Sequence, residues 1–152
     1  MKLAEALQER ADLNRRLEQL RGRLTRNATV QEGEQPAEDP AVLLEEVETA
    51  AARLEELTAA VNKTNTAVRV EGKSLTELIA RKDALSLRLS AYRDLVYTAG
   101  QSTSRARGTE IRVKAVLKAS ELQKTADALS RELRQLDNLL QETNWKTRLI
   151  EK

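Results

Sequence analysis

Residues 74–100 read SLTELIARKDALSLRLSAYRDLVYTAG, and this stretch decides the fold. Ser74 followed three residues later by Glu77 is a capping box, in which each residue's side chain serves the other's backbone N–H at a helix start. Leu75, Leu78, Lys82, Leu85, Leu89, Tyr92, Val96 and Ala99 then recur at steps of three and four. That period places one aliphatic seam along one side of a helix. Gly100 supplies the stop. The spacing predicts a helix over 75–99, with Lys82 as a polar interruption of its seam.

The same grammar extends in both directions. Upstream, Leu3, Ala6, Arg10, Leu13, Leu17, Leu20 and Leu24 form a heptad seam, and Asn27 suits a left-handed helix end. Asp39-Pro40 is an acceptor side chain followed by proline at the first helical position. Leu43, Val47, Ala50, Leu54, Leu57 and Val61 continue from it, and Gly72 marks the next turn. Downstream, Ser120 and Gln123 make a second capping box, followed by Leu122, Ala126, Leu129, Leu133, Leu136 and Leu140. The expected helices are about 2–26, 40–68, 75–99 and 121–149.

Moderate connections make sequential long helices antiparallel. The expectation is a single all-α domain over 1–152: an antiparallel up-down-up-down four-helix bundle or coiled coil, with room for a short β-hairpin in the end loops. Ile111, Val113 and Ala115 alternate with charged residues like a strand, and Ala28–Gln31 is the nearest pairing partner. Thr66–Val70 alternates as well.

Composition narrows function by exclusion. The 152 residues contain no Cys, no His and no Phe, while a third are charged. Long helices and coiled coils have this make-up. Without Cys or His, the chain lacks thiolate chemistry, the commonest general base and the commonest zinc ligand. Carboxylate groups such as Glu45, Glu46 and Glu48, or Asp127 and Glu132, read as solvated faces, because bundle di-iron sites use Glu-x-x-His pairs. No metal ligands, catalytic residues or cofactors are assigned. No apolar run approaches the ~20 residues of a membrane span. The start MKLAEALQER has acids where a signal peptide keeps an apolar core. A cytoplasmic protein is the default expectation.

The net charge of +2 hides an uneven distribution: residues 27–60 carry −8 and residues 100–120 carry +4. Up-down topology brings the connections around 27–39 and 100–120 to one pole. Arg105, Arg107, Arg112 and Lys114 are therefore expected to meet Glu32, Glu34, Glu38 and Asp39 in an end-cap, an anion site or an interface. A second constellation is polar. Asn62 and Asn65 leave helix two, Arg81 and Asp83 open helix three, and Gln141, Asn144 and Trp145 close helix four. Its plain reading is helix-end satisfaction and packing; its sharper one is a register-fixing network or a small polar-ligand site.

The stretches RNATVQEGEQPAEDP, VNKTN, GKSLTELIARKD and LSRELRQLDNLLQETNW resemble a family of small bacterial proteins that go under the name septicolysin. The resemblance covers nearly the whole chain. It implies a helical protein with no established activity and carries over no site residues. Cholesterol-dependent pore-formers with similar names are longer, β-rich and bear a tryptophan-rich segment, whereas this chain has one Trp and no repeated β-barrel alternation.

The reading at this level is a non-enzymatic helical bundle protein acting through protein contacts or self-assembly, with a homo-oligomer as the expected state and another protein as an open alternative. A second reading is an RNA- or phosphate-ligand-binding protein using the arginine-rich 100–114 loop. A nucleotide site is disfavoured because the loop lacks P-loop order, and nucleic acid because the loop lacks interleaved aromatics and acidic residues flank it. Membrane lysis ranks third and catalysis last, because acid–base work would rest on carboxylates, lysine and tyrosine alone.

Overall fold

The computed structural model describes residues 1–101 and 111–151. Among the described residues there are four helices: α1 (Leu3–Asn27), α2 (Pro40–Ala67), α3 (Leu75–Gly100) and α4 (Ala119–Lys146). Between α2 and α3 lies a two-stranded antiparallel hairpin, β1 (Arg69–Val70) and β2 (Lys73–Ser74). The all-α helical class and the number of helices are as the seams predict. The residues separate into two compact units, Met1–Ser74 with Thr143–Lys152, and Leu75–Glu142.

In the first unit α1 and α2 pack as an antiparallel pair. Leu3, Ala6 and Leu20 of α1 and Leu43, Ala50, Leu57 and Val61 of α2 are buried, all at seam positions. Burial of a leucine such as Leu57, 1% exposed, stabilises by about 1.5–3 kcal/mol. Leu13, Leu17, Leu24, Val47 and Leu54 are only half-buried, so the seam is thin.

Both ends of the pair are closed by hydrogen bonds. At one end the buried Asn27 donates from Nδ2 to the Arg23 carbonyl (2.8 Å) and accepts on Oδ1 from the Glu38 amide (3.0 Å). The expected left-handed ending does not occur: Ala28 follows in the right-handed helical region, with φ −73°. The amide side chain satisfies both the spent helix end and the incoming chain, so no backbone reversal is required. Asp39 caps α2 as expected, accepting from the Ala41 amide at 3.0 Å.

At the other end the chain after α4 returns to the start of α1. The Leu3 amide donates to the Thr147 carbonyl (2.9 Å), and the Leu149 amide to the Met1 carbonyl (3.0 Å). Lys2 and Arg148 are bridge partners. α4 stops at Lys146, short of the expected 149: the Thr147 amide still donates to the Thr143 carbonyl (2.9 Å), but its own carbonyl is taken by Leu3 and the Leu149 amide turns to Met1. One of α1's orphan N–H groups is satisfied in the process. A second, on Lys2, donates to Glu5 Oε2 at 2.6 Å.

The hairpin forms at the α2–α3 turn, where Val70 pairs with Lys73 and Arg69 with Ser74. Its two turn residues, Glu71 and Gly72, both have positive φ (52° and 81°). A two-residue hairpin of the primed type demands this backbone. The residues 111–115, expected as a strand, have no regular structure, and neither do residues 29–31. Alternation alone does not secure a strand without a paired edge.

In the second unit α3 and α4 run antiparallel. Leu78, Leu85 and Leu89 of α3 and Ala126, Leu129, Leu136 and Leu140 of α4 are buried. The capping box expected at Ser120 is not used. α4 begins at Ala119, with the Glu121 and Leu122 amides donating to the Lys118 carbonyl (3.2 and 3.1 Å). Gln123 donates forward to Asp127 Oδ1 (2.8 Å), so its side chain faces along the helix and away from its start.

Candidate functional site

Polar chemistry concentrates in ionic struts between paired helices. Arg53 of α2 donates to both carboxylate oxygens of Glu9 on α1, at 2.6 and 3.0 Å. Arg23 grips Glu38 in the same forked manner, with its Nε 3.0 Å from Oε2. Arg16 reaches Glu46 at 3.3 Å. In the other unit Lys82 donates to Asp137 Oδ1 at 2.6 Å, and Arg81 pairs with Glu132. The polar interruption at Lys82 thus has a defined partner across the helix pair.

These contacts set the local electrostatics. The hydrogen bond from Arg53 holds the Glu9 carboxyl below its ordinary value, and the Arg53 charge adds to this. Arg23 does the same to Glu38. Asp137 is lowered chiefly by the hydrogen bond and charge of Lys82, with help from Gln141. All three carboxylates are therefore held as anions, unsuited to donate or shuttle a proton near neutral pH.

The candidate residues distribute as follows. Arg105 and Arg107 lie outside the described residues. Arg112 and Lys114 are exposed in the segment before α4, and Glu32 and Glu34 are exposed in the α1–α2 connection. Glu34 donates its amide to Gln31, closing a turn at 2.9 Å. Of the acids expected to face the basic loop, Glu38 is paired by Arg23 of α1, and Asp39 caps α2. The acidic pole is thus partly neutralised from within its own helix pair.

Of the polar constellation, Asn62, Asn65, Asn144 and Trp145 belong to the first unit, and Arg81, Asp83 and Gln141 to the second. Asn62, Arg81, Asp83, Gln141 and Trp145 are exposed; Asn65 and Asn144 are half-buried. Arg81 serves Glu132 and Gln141 serves Asp137, each inside the second unit. The buried polar residue of this region is Thr64, fully inaccessible. Its hydroxyl donates to the Ala60 carbonyl (2.8 Å) and accepts from the Ile150 amide (2.9 Å). Thr64 lies in the polar run Asn62–Asn65, but the sequence has no signal that singles it out, because its partner sits 86 residues away.

The grooves wide enough for a side chain or a small ligand among the described residues include two of similar size. One, of about 410 Å³, lies on the α1–α2 pair beside Arg16, Glu46 and Arg53. The other, of about 420 Å³, is apolar and lies within the second unit, lined by Leu95, Ala99, Val113, Val116, Leu117 and Leu122. Val116 is 97% exposed. Among the described residues no three acidic side chains converge as metal ligands would, and no helix is long and apolar enough to cross a membrane.

Paired antiparallel helices, ionic struts and open aliphatic surface define an all-α helical-hairpin protein. The chain belongs to a family of unknown function (DUF6847), whose model matches residues 10–149. It is similar to a crystal structure of a functionally unknown conserved protein from Corynebacterium diphtheriae, with 38% identity, a TM-score of 0.94 and 99% of each chain covered. No curated protein matches the chain.

Proposed function

We propose that the protein is non-enzymatic and works through helix contacts between copies of itself. The observation that carries this reading is aliphatic surface left open outside the seams. Val42 and Leu44 on α2, Leu87 and Leu95 on α3, and Ile111 and Val116 before α4 are each more than 40% exposed. Single exposed apolar residues are ordinary, but grouped ones mark contact sites. Two of these are grouped: Leu95 and Val116 share one groove with Val113 and Leu117. Long, thin helix pairs bury such flanks most readily against another copy, since one self-complementary patch then serves both sides.

Size-exclusion chromatography with light scattering tests the reading. The expected mass is an integral multiple of 17.0 kDa that falls on dilution. A 17.0 kDa particle at every concentration defeats the proposal.

A further inference from the structure

α3 is apolar on two opposite sides. One side is its buried seam, Leu78, Leu85 and Leu89. On the other, Ala80, Ala84, Leu87 and Ala91 follow at steps of four, three and four, and all are exposed, Leu87 at 74%. A helix that is apolar on two sides is built to be covered on both. The second stripe has its own heptad register, with Ala84 and Ala91 at a positions and Ala80 and Leu87 at d positions. Small residues there let two helices approach closely around the single leucine.

We propose, resting on the self-association reading above, that this stripe is a parallel two-fold contact with α3 of a second copy. The charges beside the stripe select both the occupant and the direction. Asp83 borders one flank and Arg88 the other, in the g and following e positions, and both are exposed. Among the described residues neither is in an ion pair. In a parallel pair, g of one helix meets the next e of its partner. Asp83 of each copy then faces Arg88 of the other, giving two reciprocal pairs from one sequence. In an antiparallel pair equivalent flanks meet, so Asp83 faces acid and Arg88 faces base. Asp94, at the next d position, ends the contact because two carboxylates would meet at the axis. The contact spans Ala80 to Ala91, about 18 Å of helix.

The native chain has no Cys, so a single introduced thiol is an unambiguous probe. Ala80→Cys places the two thiols across the axis in the parallel pair. In the antiparallel pair that overlays the same stripe, Ala80 faces Ala91 and Ala84 faces Leu87, so the thiols at position 80 stand about 16 Å apart, beyond disulfide reach. Under mild oxidation Ala80→Cys is expected to form a covalent dimer much faster than Glu48→Cys, an exposed control on α2. Asp83→Arg is expected to weaken association roughly tenfold by replacing two attractive pairs with two repulsive ones. Adding Arg88→Asp is expected to restore it to within about threefold, since the pairs are then merely reversed. A monomeric wild type removes both this contact and the self-association reading. A wild type that associates, with Ala80→Cys no faster than the control or with Asp83→Arg neutral or strengthening, overturns this contact alone.

Discussion

Thr64 has one side-chain oxygen and uses it twice. It donates to the Ala60 carbonyl within α2 and accepts the Ile150 amide from the returning tail. A hydroxyl both donates and accepts, and here both capacities are filled in a site with no solvent access. Valine has the same shape but neither capacity. Thr64→Val therefore leaves the Ile150 amide without its acceptor, and a partly buried orphan donor costs about 1–3 kcal/mol. The expected outcome is a thermal midpoint lowered by several degrees, with faster hydrogen exchange at Ile150 and Leu149 than at core amides of α2. Unaltered exchange in the tail would show that the bridge between Lys2 and Arg148 holds it without Thr64. Asn27 is the counterpart at the other end, joining a finished helix to the chain that enters the next one.

At the scale of elements, Lys82 shows why a seam tolerates a charge. It is itself half-buried, between the buried Leu78 and Leu85 along the seam, and its ammonium meets Asp137 of α4 at 2.6 Å. Asp137 titrates below its ordinary value of 3.8 for this reason. A carboxyl lowered in the folded state contributes stability that is present above its unfolded value and lost as pH falls through the folded value. Lys82→Met keeps the stem and removes the charge. The gap in urea midpoint between wild type and variant should be present at about pH 6 and close as pH falls below 3.8. A gap that stays constant into strong acid would mean that Lys82 acts by packing alone. Periodicity made this position and most of the helix limits legible, because period, proline and glycine are local signals. The clasps were not legible. Asn27 to Glu38 and Thr64 to Ile150 depend on which distant backbone groups arrive nearby, and single-residue spacing carries no such information. The hairpin illustrates the same division. Alternation favoured 111–115 and 66–70 alike, and only the latter leads into a Glu71-Gly72 turn that returns the chain onto itself. For the end-cap, Glu38 and Asp39 were legible as acids, but not as partners of α1 and α2.

For the whole molecule the relevant quantity is how its 26 basic and 24 acidic side chains compare with its open aliphatic surface. The apolar stripe of α3 from Ala80 to Ala91 is bordered by Asp83 and Arg88. On α1, the side away from the seam carries Asp12, Arg15, Glu18 and Arg21, all exposed. Placing one such charge at the centre of a bilayer costs about 2.5–3.5 kcal/mol even on the most permissive scale. A helix carrying four of them meets a penalty that its narrow apolar side does not offset. A second protein copy offers the opposite environment: small residues for the stripe and charges of matching sign for its borders. The two destinations are separable by experiment. Vesicles containing cholesterol and loaded with a self-quenching dye should retain it when the protein is added at about micromolar concentration, while light scattering on the same sample reports association. Charge-bordered association weakens with salt, so the measured mass should fall between about 50 mM and 1 M salt, with the vesicles intact throughout. Dye release that tracks protein concentration would contradict this account of the surface, because it requires the stripes to meet lipid in place of one another.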